Sequence, residues 1–339
     1  MKIAQILGTS SGNGGLEKHV IELSKTLANR GLDVTVIAHP KFKNDFKSVN
    51  FIPLNLAKSR YNPLMLFKLY QIIKEGEFDI IHAQANKATS MIATLKPLLR
   101  TPTVATLHNL KKRLHAFEKM DYVITVSSSI GKKLKTVKKQ TIYNGINADK
   151  YLALSNKEQI KNKANFQVCT VARLVKVKKI EILIKAFANI DGKLFIVGDG
   201  PEKQSLLELA KKLNIEEKVF FTGPLALKEV SKVLKNSHLF VMTSQNEGFP
   251  YTFVEAMFHN LPFVSTPVSD IEKFIGKKYI IPHDSHEELA KKIDYIQSNY
   301  DTVINDFKPI FSKAQSVLSV DFMTDETIKV YNKLLKNER

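Results

Sequence analysis

Short β-branched or apolar runs alternate with amphipathic segments along the whole chain. The runs Lys2–Leu7, Val34–Ala38, Asp79–Ala83, Thr103–Leu107 and Tyr122–Val126 have the length and composition of buried strands. After residue 165 the pattern restarts, at Gln167–Ala172, Lys193–Val197, Lys218–Thr222, Leu239–Met242, Pro262–Ser265 and Tyr279–Ile281. Helical periodicity fills the gaps, as in Leu16–Asn29, Leu64–Glu75, Ile180–Asn189, Pro201–Leu213 and His286–Asn299. Such alternation predicts an α/β protein whose parallel sheets are covered by helices on both faces. Eleven strands exceed one small doubly wound sheet, and Ser155–Asn165 is polar, lysine-rich and poor in strand formers. The pattern therefore predicts two Rossmann-like domains, 1–160 and 161–320, with their sheets facing across a cleft. A final amphipathic segment, 321–339, can pack back on the first domain.

Composition narrows the class. A chain of 339 residues exceeds one usual core. No segment approaches the roughly 18–20 apolar residues of a membrane span. Met1–Gly8 is too short an apolar run for a signal peptide and reads as a first strand. The lone Cys169 excludes an internal disulfide and, inside a strand-like run, reads as a buried thiol. These features describe a soluble intracellular protein.

Charge changes the picture more. The formal net charge is +18, and residues 1–150 carry 24 Lys and Arg against 10 Asp and Glu. Residues 109–139 alone hold nine basic side chains and two acids. A surface of this kind is either a solvated basic face or an attractor of polyanions. Nucleic acid is disfavoured, because neither aromatic platforms nor a known binding module appears. An anionic membrane surface, or an acidic acceptor, fits better.

Candidate chemistry collects where predicted strands end, the edge at which open α/β sheets bind ligands. The segment Glu247-Gly248-Phe249-Pro250-Tyr251-Thr252-Phe253-Val254-Glu255 follows the strand Leu239–Met242 and leads into a helix beginning near Tyr251. A helix N-terminus attracts phosphate through its unpaired N–H groups and dipole. Two carboxylates around such a site suit a phosphorylated, hydroxyl-rich ligand, a description that a nucleotide-sugar meets. Arg173 closes the run Val168–Ala172 and Lys178 stands just before the helix at Ile180, so the two can clamp a diphosphate without a metal. Val197-Gly198-Asp199-Gly200-Pro201, with Pro at a first helical position, reads equally as a tight turn or a ligand contact. His108, after Thr103–Leu107, is either a satisfied structural histidine or a neutral imidazole holding a sugar hydroxyl; the same choice applies to His19. The glycine-rich turn Gly8–Gly15 does not match G-x-G-x-x-G, and no acid closes the second strand, which argues against a nicotinamide cofactor.

Taken in order, Gly14-Gly15-Leu16-Glu17-Lys18-His19, Asn144-Gly145-Ile146-Asn147, Ala172-Arg173-Leu174 with Lys178, Val197–Pro201 and the two-glutamate segment resemble the retaining glycosyltransferases of the GT-B fold, family 4, over nearly the whole chain. The resemblance implies that the second domain binds the nucleotide-sugar donor and the first the acceptor. It implies donor contacts from Arg173, Lys178, Gly248, Phe249, Pro250, Tyr251 and Glu255, the last taking ribose hydroxyls. Glu247 would hold the donor sugar and His108 would stand near the reacting carbon. Gly14 and Gly15 would form an acceptor or phosphate loop. The sequence departs from the family at Lys179, where Gly usually follows the clamp lysine, and at Pro250, where Gly is frequent.

The expected activity is therefore transfer of a hexose from a UDP- or GDP-linked sugar to a hydroxyl of a glycan or lipid-linked glycan, with retention. No cofactor and no divalent metal are expected. The setting would be cell-surface polysaccharide, lipopolysaccharide or glycolipid synthesis, on the inner leaflet of the cytoplasmic membrane. The rivals are a nucleotide-sugar epimerase of similar fold and a non-catalytic carbohydrate- or membrane-binding relative.

Overall fold

The structure is a computed structural model that describes residues 1–10, 12, 14–110, 113–135, 138–149 and 166–336. The chain forms two compact units, Met1–Asn147 with Val317–Arg339, and Ala148–Ser316. The sequence-predicted boundary at 160/161 lies outside the described residues.

The first unit is built on seven parallel strands: β1 (Lys2–Leu7), β2 (Asp33–Ala38), β3 (Asn50–Pro53), β4 (Ile80–Gln84), β5 (Thr103–Leu107), β6 (Tyr122–Thr125) and β7 (Lys139–Thr141). Their order is β3-β2-β1-β4-β5-β6-β7. Consecutive registers run Ile3↔Val34 and Ile3↔Ile80 on the two sides of β1, so the strand order reverses beside it. The main helices of this part of the chain are α1 (Gly15–Asn29), α2 (Pro63–Gly76) and α3 (Ala85–Leu95). Glu17 accepts the N–H of Gly14 at 3.0 Å and so starts α1; Asn62 caps α2 by accepting from Met65 at 2.9 Å, with Pro63 next in line.

The second unit holds β8 (Gln167–Val171), β9 (Lys193–Val197), β10 (Val219–Gly223), β11 (Leu239–Met242) and β12 (Phe263–Ser265), all parallel, in the order β10-β9-β8-β11-β12. Its main helices are α4 (Ile180–Phe187), α5 (Lys203–Lys212), α6 (Leu227–Asn236), α7 (Tyr251–Phe258), α8 (His286–Ser298) and α9 (Tyr300–Val317). The chain then re-enters the first unit as α10 (Val320–Lys336), which packs on α1 and contributes Val320, Met323, Val330, Tyr331 and Leu334 to that unit's core. The two parallel sheets confirm the α/β, GT-B-type fold class.

Three sequence expectations need correction. Tyr279–Ile281 is not a strand: Lys277–Tyr279 is a 3-10 turn, and Ile280 makes an isolated parallel bridge to Ser265. The Tyr279 hydroxyl donates to Asp306 at 2.7 Å and its ring packs on Phe307, so side-chain anchoring fixes the segment instead of a ladder. Helix α5 begins at Lys203, leaving Pro201 in the turn ahead of it. Strands β3 and β7 escape the periodicity because both are short edge strands, and Asn50, Pro53 and Lys139 are not strand formers.

Candidate functional site

In the second unit the strand order reverses between β8 and β11, and the predicted donor residues sit at the carboxyl ends of those two strands. Arg173 follows β8 and is exposed, with no ion pair among the described residues. The 3-10 turn Lys176–Lys178 then crosses to the end of β11. Gln245 donates its N–H to the Val177 carbonyl at 2.8 Å, and Thr243 Oγ1 donates to the Lys178 carbonyl at 2.9 Å. These two bonds pin the turn against β11 and bring the Lys178 ammonium to Glu247, at 2.5 Å between Nζ and Oε1. Both side chains are largely withdrawn from solvent, 22% and 12% exposed. A cation and a carboxylate thus neutralise each other at a sheet edge, where each is positioned for a polar ligand.

The glycines of Val197–Pro201 explain themselves sterically. Gly198 has φ +131°, and a Cβ there would lie 2.0 Å from the Ala172 carbonyl oxygen; one on Gly200 would lie 2.3 Å from that of Leu174. The bare backbone lets Leu174 donate to the Asp199 carbonyl at 2.9 Å and accept from Glu202 at 3.0 Å. This turn is a clamp on the loop carrying Arg173.

The Glu247–Glu255 segment divides its labour. Phe249 is buried against Phe253 and Phe274, so its ring anchors the turn. Ser269 holds the Gly248 carbonyl from beneath, and Thr266 holds that of Ser244. Pro250 is the N-cap of α7 and supplies no side-chain cap; the helix opens on backbone bonds, Phe253 N–H donating to the Pro250 carbonyl at 3.1 Å. Glu255 lies one turn on and is buried. Lys179 has left-handed backbone, φ +52°, which is the physical reason Gly suits this position; its ammonium sits 3.2 Å from Asp284.

In the first unit, His108 is buried and its Nε2–H donates to Gln84 Oε1 at 2.9 Å. Gln84 in turn donates to Gln5 Oε1 at 2.9 Å, and Gln5 donates to the Tyr331 hydroxyl at 3.1 Å. That hydroxyl also hydrogen-bonds His82 Nδ1 at 2.6 Å, and His82 Nε2 hydrogen-bonds Thr106 Oγ1 at 2.7 Å and lies 3.3 Å from Gln84 Nε2. His19 meets His108 edge-on, with ring centroids 4.6 Å apart, and donates from Nδ1 to Asn144 Oδ1 at 3.1 Å. The remaining nitrogen of His19, Nε2, is buried and has no hydrogen-bond partner among the described residues. Burial pushes His19 down to about 4, opposed in part by the Asn144 bond, and burial with the nearby His19 pushes His82 to about 3. His108 is held well below the ordinary histidine value, first by burial and then by His19 and His82. All three are neutral imidazoles at neutral pH.

Gln5, His82, Gln84 and Tyr331 were not singled out in the sequence. The signal was present in part: Gln5, His82 and Gln84 are polar interruptions in strands otherwise apolar on both faces. Gly14 and Gly15 open α1, and Gly14 is closed over by Glu17. Asn144-Gly145-Ile146-Asn147 is where the chain meets the approach to α10: Ile146 pairs with Ser319, and a Cβ on Gly145 would lie 2.3 Å from the Ser319 carbonyl oxygen. Among the described residues, no three His, Cys, Asp or Glu side chains gather as metal ligands, and no helix is long and apolar enough to cross a membrane.

The Lys178–Glu247 pair thus lies at the switch point of the second sheet, the place where open α/β sheets bind ligands. The family model for group 1 glycosyl transferases matches residues 153–305, and that for glycosyltransferase family 4 matches residues 13–150. An uncharacterized glycosyltransferase of Methanocaldococcus jannaschii is 30% identical over 302 residues, covering 76% of this chain and 72% of its own. The amylovoran biosynthesis glycosyltransferase AmsD of Erwinia amylovora is 23% identical, covering 98% and 99%. Among solved structures, Anabaena HepE in complex with UDP and glucose superposes with a TM-score of 0.81 at 21% identity, covering 98% and 100%. The chain belongs to the family 4-type glycosyltransferases of the GT-B fold.

Proposed function

We propose that this glycosyltransferase moves a hexose from a nucleoside-diphosphate sugar to a hydroxyl of a glycan or lipid-linked glycan, with retention at the anomeric carbon and without a divalent metal. The observation that carries the proposal is the Lys178–Glu247 pair at the β8/β11 switch point. Diphosphate oxygens would draw Lys178 to themselves, together with Arg173 and the positive end of the α7 dipole. Glu247, released, would accept from the donor-sugar hydroxyls, and Glu255 from the ribose. The bond between the anomeric carbon and the leaving oxygen breaks as the acceptor oxygen attacks on the same face. The departing diphosphate takes the acceptor proton, so no enzymic nucleophile is needed.

Neutral His108, with Nε2 committed to Gln84, would support the reacting sugar, and the unpartnered His19 Nε2 would accept from a hydroxyl. The UDP bound to HepE makes UDP-sugars the first donors to test. The relatives named for amylovoran synthesis and for monoglucosyldiacylglycerol synthesis support a cell-surface polysaccharide or glycolipid acceptor. The basic first unit suits peripheral attachment to an anionic inner leaflet.

The test is incubation with a panel of UDP- and GDP-sugars, with and without lipid-linked acceptors and with EDTA, reading released nucleoside diphosphate and product anomer. Lys178→Ala and Glu247→Ala should each lower transfer about a hundredfold or more. Near-normal turnover in either variant overturns the assignment.

A further inference from the structure

Loops at the carboxyl edge of the first sheet converge on a crevice at the β1/β4 switch point, the kind of position at which open α/β sheets take ligands. Its cavity of about 290 Å³ is lined by Gly8, Ser10, Leu16, Gln84 and Lys87, and no acidic residue lines it. Two backbone features shape it. Gly8 lies so close to α3 that a Cβ on it would stand 3.0 Å from the Ala88 nitrogen. Ala85 has φ +61°, a left-handed conformation uncommon outside glycine, and through it β4 passes into α3 with no linking residue. Lys87 is thereby held on the first turn of the helix, at the crevice wall.

Three cations reach this region from three parts of the chain, and each is bonded to a neutral group. Lys41, after β2, donates to the Ser10 carbonyl. Arg60, after β3, donates to Ser90 Oγ of α3 at 3.0 Å. Lys87 donates to the Ala57 carbonyl at 2.9 Å. None of the three has a carboxylate partner among the described residues, and the loop 54–62 that supplies Arg60 contains no acid. Glu17, next to Leu16 in the chain, is committed to the Gly14 N–H. Burial first, and then the Arg60 guanidinium, push the Lys87 ammonium below the ordinary lysine value. An anion among these cations would relieve their repulsion. Lysine has three donors and arginine five, so each can keep its present bond and still reach a ligand.

The cations also select the class of anion. In the second unit Lys178 is already neutralised by Glu247, whereas here the charge is uncompensated. A carboxylate offers two oxygens and one charge, but a phosphate monoester offers three terminal oxygens and nearly two charges at neutral pH. Arginine suits phosphate as a planar fork and lysine as a point charge. The cavity lies at the small end of ligand pockets, so it takes the phosphorylated end of a molecule and leaves the remainder outside.

We propose that the β1/β4 crevice of the first unit binds a phosphate ester through Lys41, Arg60 and Lys87, and that the acceptor is therefore a phosphorylated hydroxyl compound. The second half rests on the functional reading above: Gln84 both lines the crevice and holds His108, the imidazole that this reading sets at the reacting sugar. The first half does not depend on it.

The experiment is lysine acetylation of the full chain, read residue by residue by mass spectrometry, with inorganic phosphate compared against sodium chloride at equal ionic strength. Phosphate should protect Lys41 and Lys87 and leave the exposed Lys133 unchanged. Arg60→Gln should raise the phosphate concentration for half-protection of Lys87 about tenfold or more, and Lys178→Ala should leave it where it is. An unchanged circular dichroism melt establishes that the variants fold; if Arg60→Gln does not, Lys41→Gln, at an exposed position, should weaken protection of Lys87 in the same direction. Glycerol phosphate and geranyl diphosphate distinguish the source. Tighter protection by the first marks a soluble phosphomonoester and by the second a lipid-linked diphosphate, and either upholds the site. Protection no greater than chloride gives, protection untouched by the Arg60 and Lys41 substitutions, loss of protection through Lys178→Ala, or equal protection by malonate would each overturn the proposal. No donor is needed, so protection without sugar transfer would remove only the functional reading, and transfer without protection only this site.

Discussion

Lowering the pH from 7 to 5 should destabilise the first unit selectively, because His19, His82 and His108 are buried there as neutral imidazoles. An unfolded histidine titrates at 6.5, whereas folding lowers His19 to about 4 and His82 to about 3. A depressed histidine keeps its full contribution above the unfolded value, and the contribution is lost as pH falls below it toward the folded value. At pH 5 each unfolded imidazole binds almost a full proton and each folded one almost none, which amounts to roughly 2 kcal/mol per group. Two such groups, with His108 acting in the same direction, give a loss of roughly 4–6 kcal/mol, comparable with the whole stability of many domains. The chain has no tryptophan, so urea titrations should be followed by circular dichroism, with hydrogen exchange assigning the change to first-unit peptides. The slope of stability against pH between about 5 and 6 should correspond to two to three protons, and His19→Gln should remove about one. A flat profile over that interval, or a slope untouched by His19→Gln, would refute neutral burial of these imidazoles.

Two further outcomes follow from the same unit. Tyr331→Phe removes the bond from Gln5 and the one shared with buried His82 Nδ1; stability in urea should fall by roughly 1–3 kcal/mol, and no change would remove Tyr331 from the network. Gly145→Ala drives a methyl into the Ser319 backbone, where no flexible side chain can yield; a loss of roughly 3 kcal/mol or more, with faster proteolysis around α10, is expected, and a wild-type melt would contradict the steric account.

The candidate site of the second unit was legible because its parts are local. Each motif is a strand end and the turn after it, so Arg173, Lys178, Glu247 and Glu255 can be placed from neighbouring residues alone. What brings Lys178 to Glu247 was not legible, since the bonds from Gln245 and Thr243 depend on β8 and β11 lying side by side. The His108 network was less legible still. It joins residues 5, 82, 84, 108 and 331, and sequence spacing carries no information about such pairings. Gly198 and Gly200 could be read as a turn, but their need for bare backbone appears only once the Ala172–Leu174 loop lies against them. Lys179 stood out as a departure from the family, and its left-handed φ makes that departure a local conformational cost.

The place of α10 has a consequence for how the protein is made. Tyr331 completes the hydrogen bonds of Gln5 and His82, and Val320, Met323, Val330 and Leu334 complete the core around β1 and α1. Residues 148–316 are synthesised before any of these. On the ribosome, therefore, the portion of the chain that emerges first is the portion that finishes last. Its sheet waits with a buried glutamine and histidine unsatisfied while the second unit, whose chain is continuous, can already close. A stalled or shortened translation product would then carry a finished second unit and an open first one, the form most exposed to chaperones and proteases.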